Sequence, residues 1–274
     1  MRVIFSRKGV DSAAGKCASP LVDDRPISLP IPTKQPSPTS YGMLADHIRN
    51  PANDLSRGVL AGEKYCHLDP DVDHEALTGR ITGWRGALGQ AGASLTHLRN
   101  QQVAAGDLFL FWGLYRPAEL RDDKWRYSGP RQHAIFGWLK IETVLDAGSD
   151  GTSLLKDRPW LSAHPHAREY WTSKNTIYVA TDRFEISGRT FPGSGVFSRA
   201  YKLSAQDADR PTIWSAPAWL NPNMGGTGLS YHAPHRWTAD GRLQAASRGQ
   251  EFVSDIGGRT DAEAWIADLL EGYI

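Results

Sequence analysis

The feature that most constrains the fold is a pair of strand-like segments in the middle of the chain. Residues 108–115 read Leu-Phe-Leu-Phe-Trp-Gly-Leu-Tyr, an unbroken apolar run between Gly-Asp and Arg-Pro. Such a run predicts a strand that is buried on both faces. Residues 133–145 alternate in side-chain character, which predicts a second strand, antiparallel to the first through a long charged loop.

Helical patterns lie on either side of this pair. The apolar residues from Leu88 to Leu98 recur at helical spacing and predict a helix over 87–98. Near the end, Thr260–Glu263 has the pattern of a capping box and opens a second helix. The 10 tryptophans indicate one aromatic-rich core. We therefore predict a single α+β domain over residues 1–274, a bent mixed sheet or half-open β-barrel with covering helices.

Composition restricts the possible partners. The 31 lysines and arginines nearly balance the 30 aspartates and glutamates, so the formal net charge is +1 and an anionic partner must be met by a local patch. No window approaches the roughly 20 apolar residues that cross a bilayer, so no membrane partner is expected. Because no signal-peptide pattern opens the chain, Cys17 and Cys66 are expected to be free thiols in a reducing cytoplasm.

The first candidate site is the loop after a short apolar run at residues 3–5. It carries Ser6, Arg7, Lys8, Asp11 and Ser12. Loops at strand ends place side chains and backbone N–H groups at the edge of a cleft, so these residues can meet a phosphate or a polar substrate. A solvated turn is the alternative interpretation.

The second candidate site is His-Leu-Asp-Pro-Asp at 67–71. Alternate side chains of an extended segment share a face, so His67, Asp69 and Asp71 can converge on one divalent metal ion. The aspartates can also act as acids or bases without a metal, or cap an ordinary turn. The segment 164–166 (His-Pro-His) is interpreted as a packing or substrate contact rather than a chelating pair.

The third candidate site lies near the end of the chain, where Arg248, Gln250 and Glu251 cluster around a glycine. Arginine can hold a phosphate, glutamine can pair with a base edge, and glutamate can accept a proton. An internal salt bridge at a β-bulge explains the same residues equally well.

Several segments together are similar to a known family. They are RVIFSRKGVDS, HLDPDVD, GQAGASLTHLRNQQVAAGDLFLFWGLYR, HAIFGWLKI and RGQEFV. In this order they resemble nucleotide modification associated domain 3, a bacterial and phage family. The resemblance implies a role in the synthesis, recognition or processing of modified nucleotides or bases, so the implied partner is a nucleotide or a modified nucleic-acid base.

The motifs of this family single out polar positions in the chain. The implied catalytic residues are Asp11, Asp69, Asp71 and Glu251. The implied substrate-binding residues are Ser6, Arg7, Lys8, Ser12, Gln90, Arg248 and Gln250, and His97 belongs to a matching motif. The identity of any cofactor is not implied by the resemblance, and a divalent metal ion held by His67, Asp69 and Asp71 is the candidate. The chain departs from the family pattern at Val10 and Ser94.

A second resemblance covers about the central quarter of the chain. Gly106-Asp107 before an aromatic strand, followed by Phe-Gly-Trp-Leu at 136–139, is similar to the barrel of PUA-like domains of the EVE and ASCH type. These domains bind modified bases or RNA. Two functions follow as hypotheses: an enzyme that modifies or processes nucleotides or bases, which the acids among the cations favour, or a reader that stacks a flipped modified base on Trp112, Trp138 or Trp237.

Overall fold

The computed structural model describes residues 1–274 and is built on a 10-stranded mixed sheet with three smaller two-stranded sheets. The strands are β1 (Arg2–Arg7), β2 (Ser19–Val22), β3 (Arg25–Pro26), β4 (Ile31–Pro32), β5 (Cys66–His67), β6 (Ala87–Ala91), β7 (Leu108–Arg121), β8 (Lys124–Tyr127), β9 (Gln132–Asp146), β10 (Asn175–Ala180), β11 (Arg183–Ile186), β12 (Arg189–Pro192), β13 (Ser194–Lys202), β14 (Ile213–Trp214), β15 (Leu243–Gln244) and β16 (Glu251–Asp255). The helices are α1 (Asp46–Leu55), α2 (Gly92–Asn100) and α3 (Thr260–Tyr273).

Two long strands form the spine of the large sheet. Its order is β16-β1-β7-β9-β10-β6, and β7 and β9 pair antiparallel along most of their length. The first half of β7 pairs parallel with β1, whereas its second half pairs with β2 and β8. Register shifts interrupt the ladders between Phe111 and Trp112 and between Val196 and Tyr201. Such irregularities bend strands, so one sheet carries several branches.

The sheet is buried on both faces, as the apolar run at 108–115 predicts. Alternate β7 residues, such as Leu110 and Phe111, belong to two different core clusters. The first cluster packs against α3 and the aromatic segments after β13, and the second packs against α2. The antiparallel pairing of the two central strands is likewise confirmed.

A third cluster lies under the segment between β2 and β6. It contains Tyr41, Ile48 of α1, and both cysteines. Cys17 and Cys66 are free thiols, as expected, and burial raises their pKa to about 11 and about 12. Thiols that are buried and protonated are poor nucleophiles, so neither cysteine is a catalytic candidate.

Two predictions of the fold need correction, and a third is not confirmed. Residues 87–91 form β6 and only Gly92 begins the helix, because the backbone of 87–91 pairs with β10 and this pairing outweighs the helical spacing. The helix α3 begins at Thr260 without a side-chain cap. The large sheet does not close into a barrel, so the resemblance to PUA-like domains is not confirmed. That the chain is a single domain stays a prediction.

The helices were also compared with the requirements for crossing a membrane. None of them combines the length and the apolar character that spanning a bilayer requires.

Candidate functional site

The two ends of the chain meet at the carboxyl end of β1. Ser6 faces Glu251 in the β1–β16 register, and the N–H of Arg7 donates to the carbonyl of Gln250 at 2.7 Å. The N–H of Lys8 donates to the carbonyl of Trp112 in β7 at 2.8 Å. The N-terminal loop and the segment 248–251 therefore lie side by side, although more than 230 residues separate them in sequence.

A cavity of about 250 Å³ opens beside this junction, and we call it the central cavity. Its polar and aromatic lining comprises Arg7, Lys8, Asp11, His67, Asp69, Gln90, Ser94, His166, Trp171 and Gln250. The cavity thus collects side chains from the ends of β1, β5 and β6 and from the loop after β9.

A buried polar network borders the cavity on one side through Lys8 and Gln90. Glu251, 1% exposed, accepts hydrogen bonds from Lys8 Nζ at 3.3 Å and from Gln90 Nε2 through its Oε1 atom. Its Oε2 atom and the buried Ser6 hydroxyl have no hydrogen-bond partner. Burying polar atoms without partners costs free energy.

The opposite wall carries His67, Asp69 and His166, which we call the imidazole–carboxylate cluster. One ligand atom from each lies within 4.8 Å of the others. His67 Nε2 is 3.9 Å from Asp69 Oδ2, and the side chain of Asp69 is only 4% exposed. His67 is held in place by the pairing of β5 with β4.

Neighbouring groups fix the orientation of each member. Asn175 accepts from His166 Nδ1 at 2.7 Å and donates to the His166 carbonyl at 3.0 Å, so the second ring nitrogen, Nε2, keeps its lone pair. The Gly89 N–H donates to Asp69 Oδ1 at 2.6 Å, which leaves Oδ2 for the cluster. A Cβ at Gly89 would come within 2.1 Å of the His166 ring, so only glycine fits there.

A third histidine, His164, lies beside the carboxylate of Asp69. It is 1% exposed, and its Nε2 atom lies 3.4 Å from Asp69 Oδ1 in an alignment too poor for a hydrogen bond. Its Nδ1 atom accepts from the His166 N–H at 3.2 Å, so a neutral ring carries its proton on Nε2, the nitrogen nearer the carboxylate.

The electrostatics keep the histidines neutral and Asp69 ionised. Burial lowers the pKa of His67 to about 4 and that of His166 to about 3, outweighing the attraction of Asp69. Burial alone would raise the pKa of Asp69, but His164, Lys8 and His166 together hold it below its ordinary value. Neutral imidazole and ionised carboxylate are the protonation states that bind a metal ion. His67, Asp69 and His166 can therefore hold one.

The structure separates Asp71 from the cluster, contrary to the predicted metal set. Both oxygens of Asp71 accept from Arg80, at 2.7 and 2.6 Å, and Oδ2 also accepts from Trp84 Nε1 at 3.2 Å. Buried and fully paired, Asp71 has a structural environment. The alternation of side chains along 67–71 breaks because its N–H and carbonyl pair with Ala87.

The other predicted residues lie around the central cavity in different surroundings. Asp11 lines the cavity, and its Oδ1 atom caps the N–H groups of Ala13 and Ala14 at 2.8 and 2.7 Å. Gln250 accepts from Ser94 at 3.2 Å. Ser12 lines a second cavity that Asp11 shares, whereas Arg248 and His97 line a third. Arg7 borders all three cavities.

The aromatic residues of the reader hypothesis are not available to a base. Trp112, Trp138 and Trp237 are at most 5% exposed and belong to the core that packs against α3. Trp171 lines the central cavity instead and stacks on His166 with 4.0 Å between ring centroids.

Sequence reasoning missed His166, His164 and Trp171 as members of the site. The signal was the concentration of imidazole and indole rings at 164–171, of which only 164–166 was interpreted, as a packing or substrate contact. Nothing in their spacing indicates that His166 lies opposite residues 67–69, almost 100 positions away.

Comparison with known proteins adds one finding. No curated protein and no solved structure gives a significant match to the chain. The sequence profile described as nucleotide modification associated domain 3 matches residues 2–255, which include the N-terminal loop, the imidazole–carboxylate cluster and Glu251. The chain therefore belongs to the nucleotide modification associated domain 3 family.

Proposed function

We propose that the protein is an enzyme that modifies or processes a nucleotide or a nucleic-acid base in the central cavity. One observation carries the proposal: two neutral imidazoles and an ionised carboxylate converge in a cavity that also holds the cations Arg7 and Lys8. Clustered groups with shifted pKa values in a cleft are typical of catalytic sites. The family supplies the substrate class.

We propose in addition that the cofactor is a divalent transition-metal ion. Two histidines and one carboxylate suit zinc, iron or manganese and leave positions open for water or substrate. The bond from His166 Nδ1 to Asn175 is the supporting contact that metal-binding histidines usually have. A bound ion would act as a Lewis acid and lower the pKa of a coordinated water.

The remaining residues fit substrate binding. Arg7 borders the cavity and can pair with a phosphate through two parallel hydrogen bonds. Lys8 can stabilise negative charge that develops during reaction, since Glu251, which also accepts from Gln90, holds its ammonium group at the cavity wall. Trp171 offers an indole face to a base.

The test is a mass-spectrometric search for products. Protein loaded with Zn²⁺, Mn²⁺ or Fe²⁺ is incubated with nucleotides and with DNA and RNA, and host nucleic acids are compared with and without the protein. We expect a mass change that Asp69→Asn abolishes and that Asp157→Asn, at an exposed acid outside the cavity, leaves intact. No mass change with any metal and any substrate would refute the proposal.

A non-catalytic reader is the second candidate, and the exposed part of Trp171 favours it. A reader would bind an oligonucleotide with a modified base, return it unchanged, and require Trp171. Binding that survives Asp69→Asn, together with no product, would support the reader over the enzyme.

A further inference from the structure

We propose that the protein acts on a nucleic-acid strand, which a groove on its surface guides into the central cavity. The inference rests on the proposed function, because it names the substrate class of that site. The inference is based on where the charges lie on the surface, which the net charge of the whole chain does not reveal.

The groove has a volume of about 860 Å³ and lies between the end of α1, the segment 16–18 and the β7–β8 hairpin. Six cations line it, and we call it the basic groove: Lys16, Arg57, Arg116, Lys124, Arg126 and Arg131. All except Arg116 are exposed. Asp54 is the one acid in the lining, and its Oδ2 atom is occupied by the N–H of Trp125 at 3.0 Å.

None of these six cations forms an ion pair with a carboxylate. Other arginines of the chain do form such pairs, as Arg189 and Arg242 illustrate. With a net charge of only +1 for the whole protein, the rest of the chain carries a negative balance. A concentrated field of one sign attracts a polyanion.

The basic groove leads to the central cavity. Arg131 also lines an adjoining cavity of about 220 Å³, whose other walls include Arg7, Lys8 and Asp11. These three residues line the central cavity as well. A continuous series of cations therefore connects the surface with the imidazole–carboxylate cluster.

The number of cations indicates a polymer rather than a free nucleotide. Arg7 and Lys8 already suffice for the phosphates of a mononucleotide, whereas six more cations along a groove match successive phosphates of a strand. Trp125 and Tyr127, both half-buried, also line the groove. Cations combined with aromatic rings are typical of sites for single strands.

The test measures binding by fluorescence anisotropy, with labelled oligothymidylate and oligouridylate of 12 nucleotides as probes and dTMP as competitor. The variant Lys124→Gln/Arg126→Gln/Arg131→Gln neutralises the groove. The control Lys34→Gln/Lys156→Gln/Arg183→Gln removes the same charge from exposed, unpaired cations outside it.

We expect the groove variant to lose roughly 100-fold in affinity at 0.1 M salt and its salt slope to fall by about 2, as three lost phosphate contacts require. The control should bind like the parent protein. Equal losses in both variants, or competition by dTMP at the concentration of oligonucleotide phosphate, would overturn the proposal. The readout is binding rather than turnover, so it is independent of whether the cavity is catalytic.

Discussion

The central cavity and the basic groove use charge in opposite ways. In the cavity, the charges of Lys8 and Asp69 have defined partners: Lys8 contacts Glu251, and Asp69 accepts from Gly89. In the groove, six cations lack a carboxylate partner, and five of them are exposed to solvent. Burial makes interactions strong and sensitive to geometry, whereas exposed charges act additively and are screened by salt. Under the two proposals, chemistry belongs to the cavity and capture of substrate to the groove.

The largest effect expected from this contrast is the loss of turnover in Asp69→Asn. The amide cannot serve as an anionic ligand or base, so turnover should fall by about 10²–10⁴-fold. Binding of oligothymidylate should stay within about twofold, since the groove does not contain Asp69. Parallel assays of turnover and anisotropy check this, with Asp157→Asn as the control. If turnover and oligothymidylate binding fall together, the proposed separation of catalysis in the cavity from binding in the groove is wrong.

The next effect concerns the close approach of Gly89 to His166. In Gly89→Ala the new methyl group must displace the imidazole, which should cost about 1–3 kcal/mol in the free energy of unfolding and remove bound metal. Gly272→Ala in α3 is the control, because the nearest heavy atom to its Cβ is 3.9 Å away. Denaturant unfolding and metal analysis after dialysis provide the measurements. Full metal retention in Gly89→Ala would contradict the assignment of His166 as a ligand.

A smaller loss is expected when the support of His166 is removed. Without Asn175 the ring can turn and its tautomer is no longer fixed, so metal affinity should fall by about 10–100-fold. Competition with a chromogenic chelator gives the affinity. Asn100→Ala, at an exposed asparagine on α2, serves as the control. Unchanged affinity in Asn175→Ala would show that this contact only packs the loop.

The smallest effect is a dependence of stability on pH. Burial first, and the charge of Arg7 second, lower the pKa of His133 to about 4, from an unfolded value near 6.5. Lys8, Asp11 and Arg131 border the same cavity. Between these values the unfolded chain binds more protons, so the free energy of unfolding decreases as pH falls.

For His133 this contribution is on the order of 1–2 kcal/mol between pH 7 and pH 5. Other buried histidines act in the same direction, so the measurement is the difference in slope between parent and His133→Gln. Exposed His235→Gln should keep the parent slope. Oligonucleotide binding should lack the dependence, since His133 does not line the groove. Parallel slopes in parent and His133→Gln would contradict the expectation.

The sequence predicts more of the fold than of the candidate site. The run at 108–115 predicts a doubly buried strand because hydrophobic periodicity is a local signal. The same rule failed at 87–91, where pairing with β10 decides the backbone conformation. For the site, Arg7, Lys8 and Asp11 of the N-terminal loop and His67 and Asp69 were predicted from their chemistry and line one cavity. Their catalytic and binding roles stay predictions.

What the sequence by itself determined is the central sheet, the free cysteines, and the family with its nucleotide-related role. Only the tertiary structure decided which groups meet. His166, and not Asp71, joins His67 and Asp69 in the imidazole–carboxylate cluster, and the tryptophans of the reader hypothesis are buried. Six cations without carboxylate partners line one groove. The physical reason is that periodicity and composition are properties of neighbouring residues. Convergence on a site depends on how a bent sheet brings distant segments together.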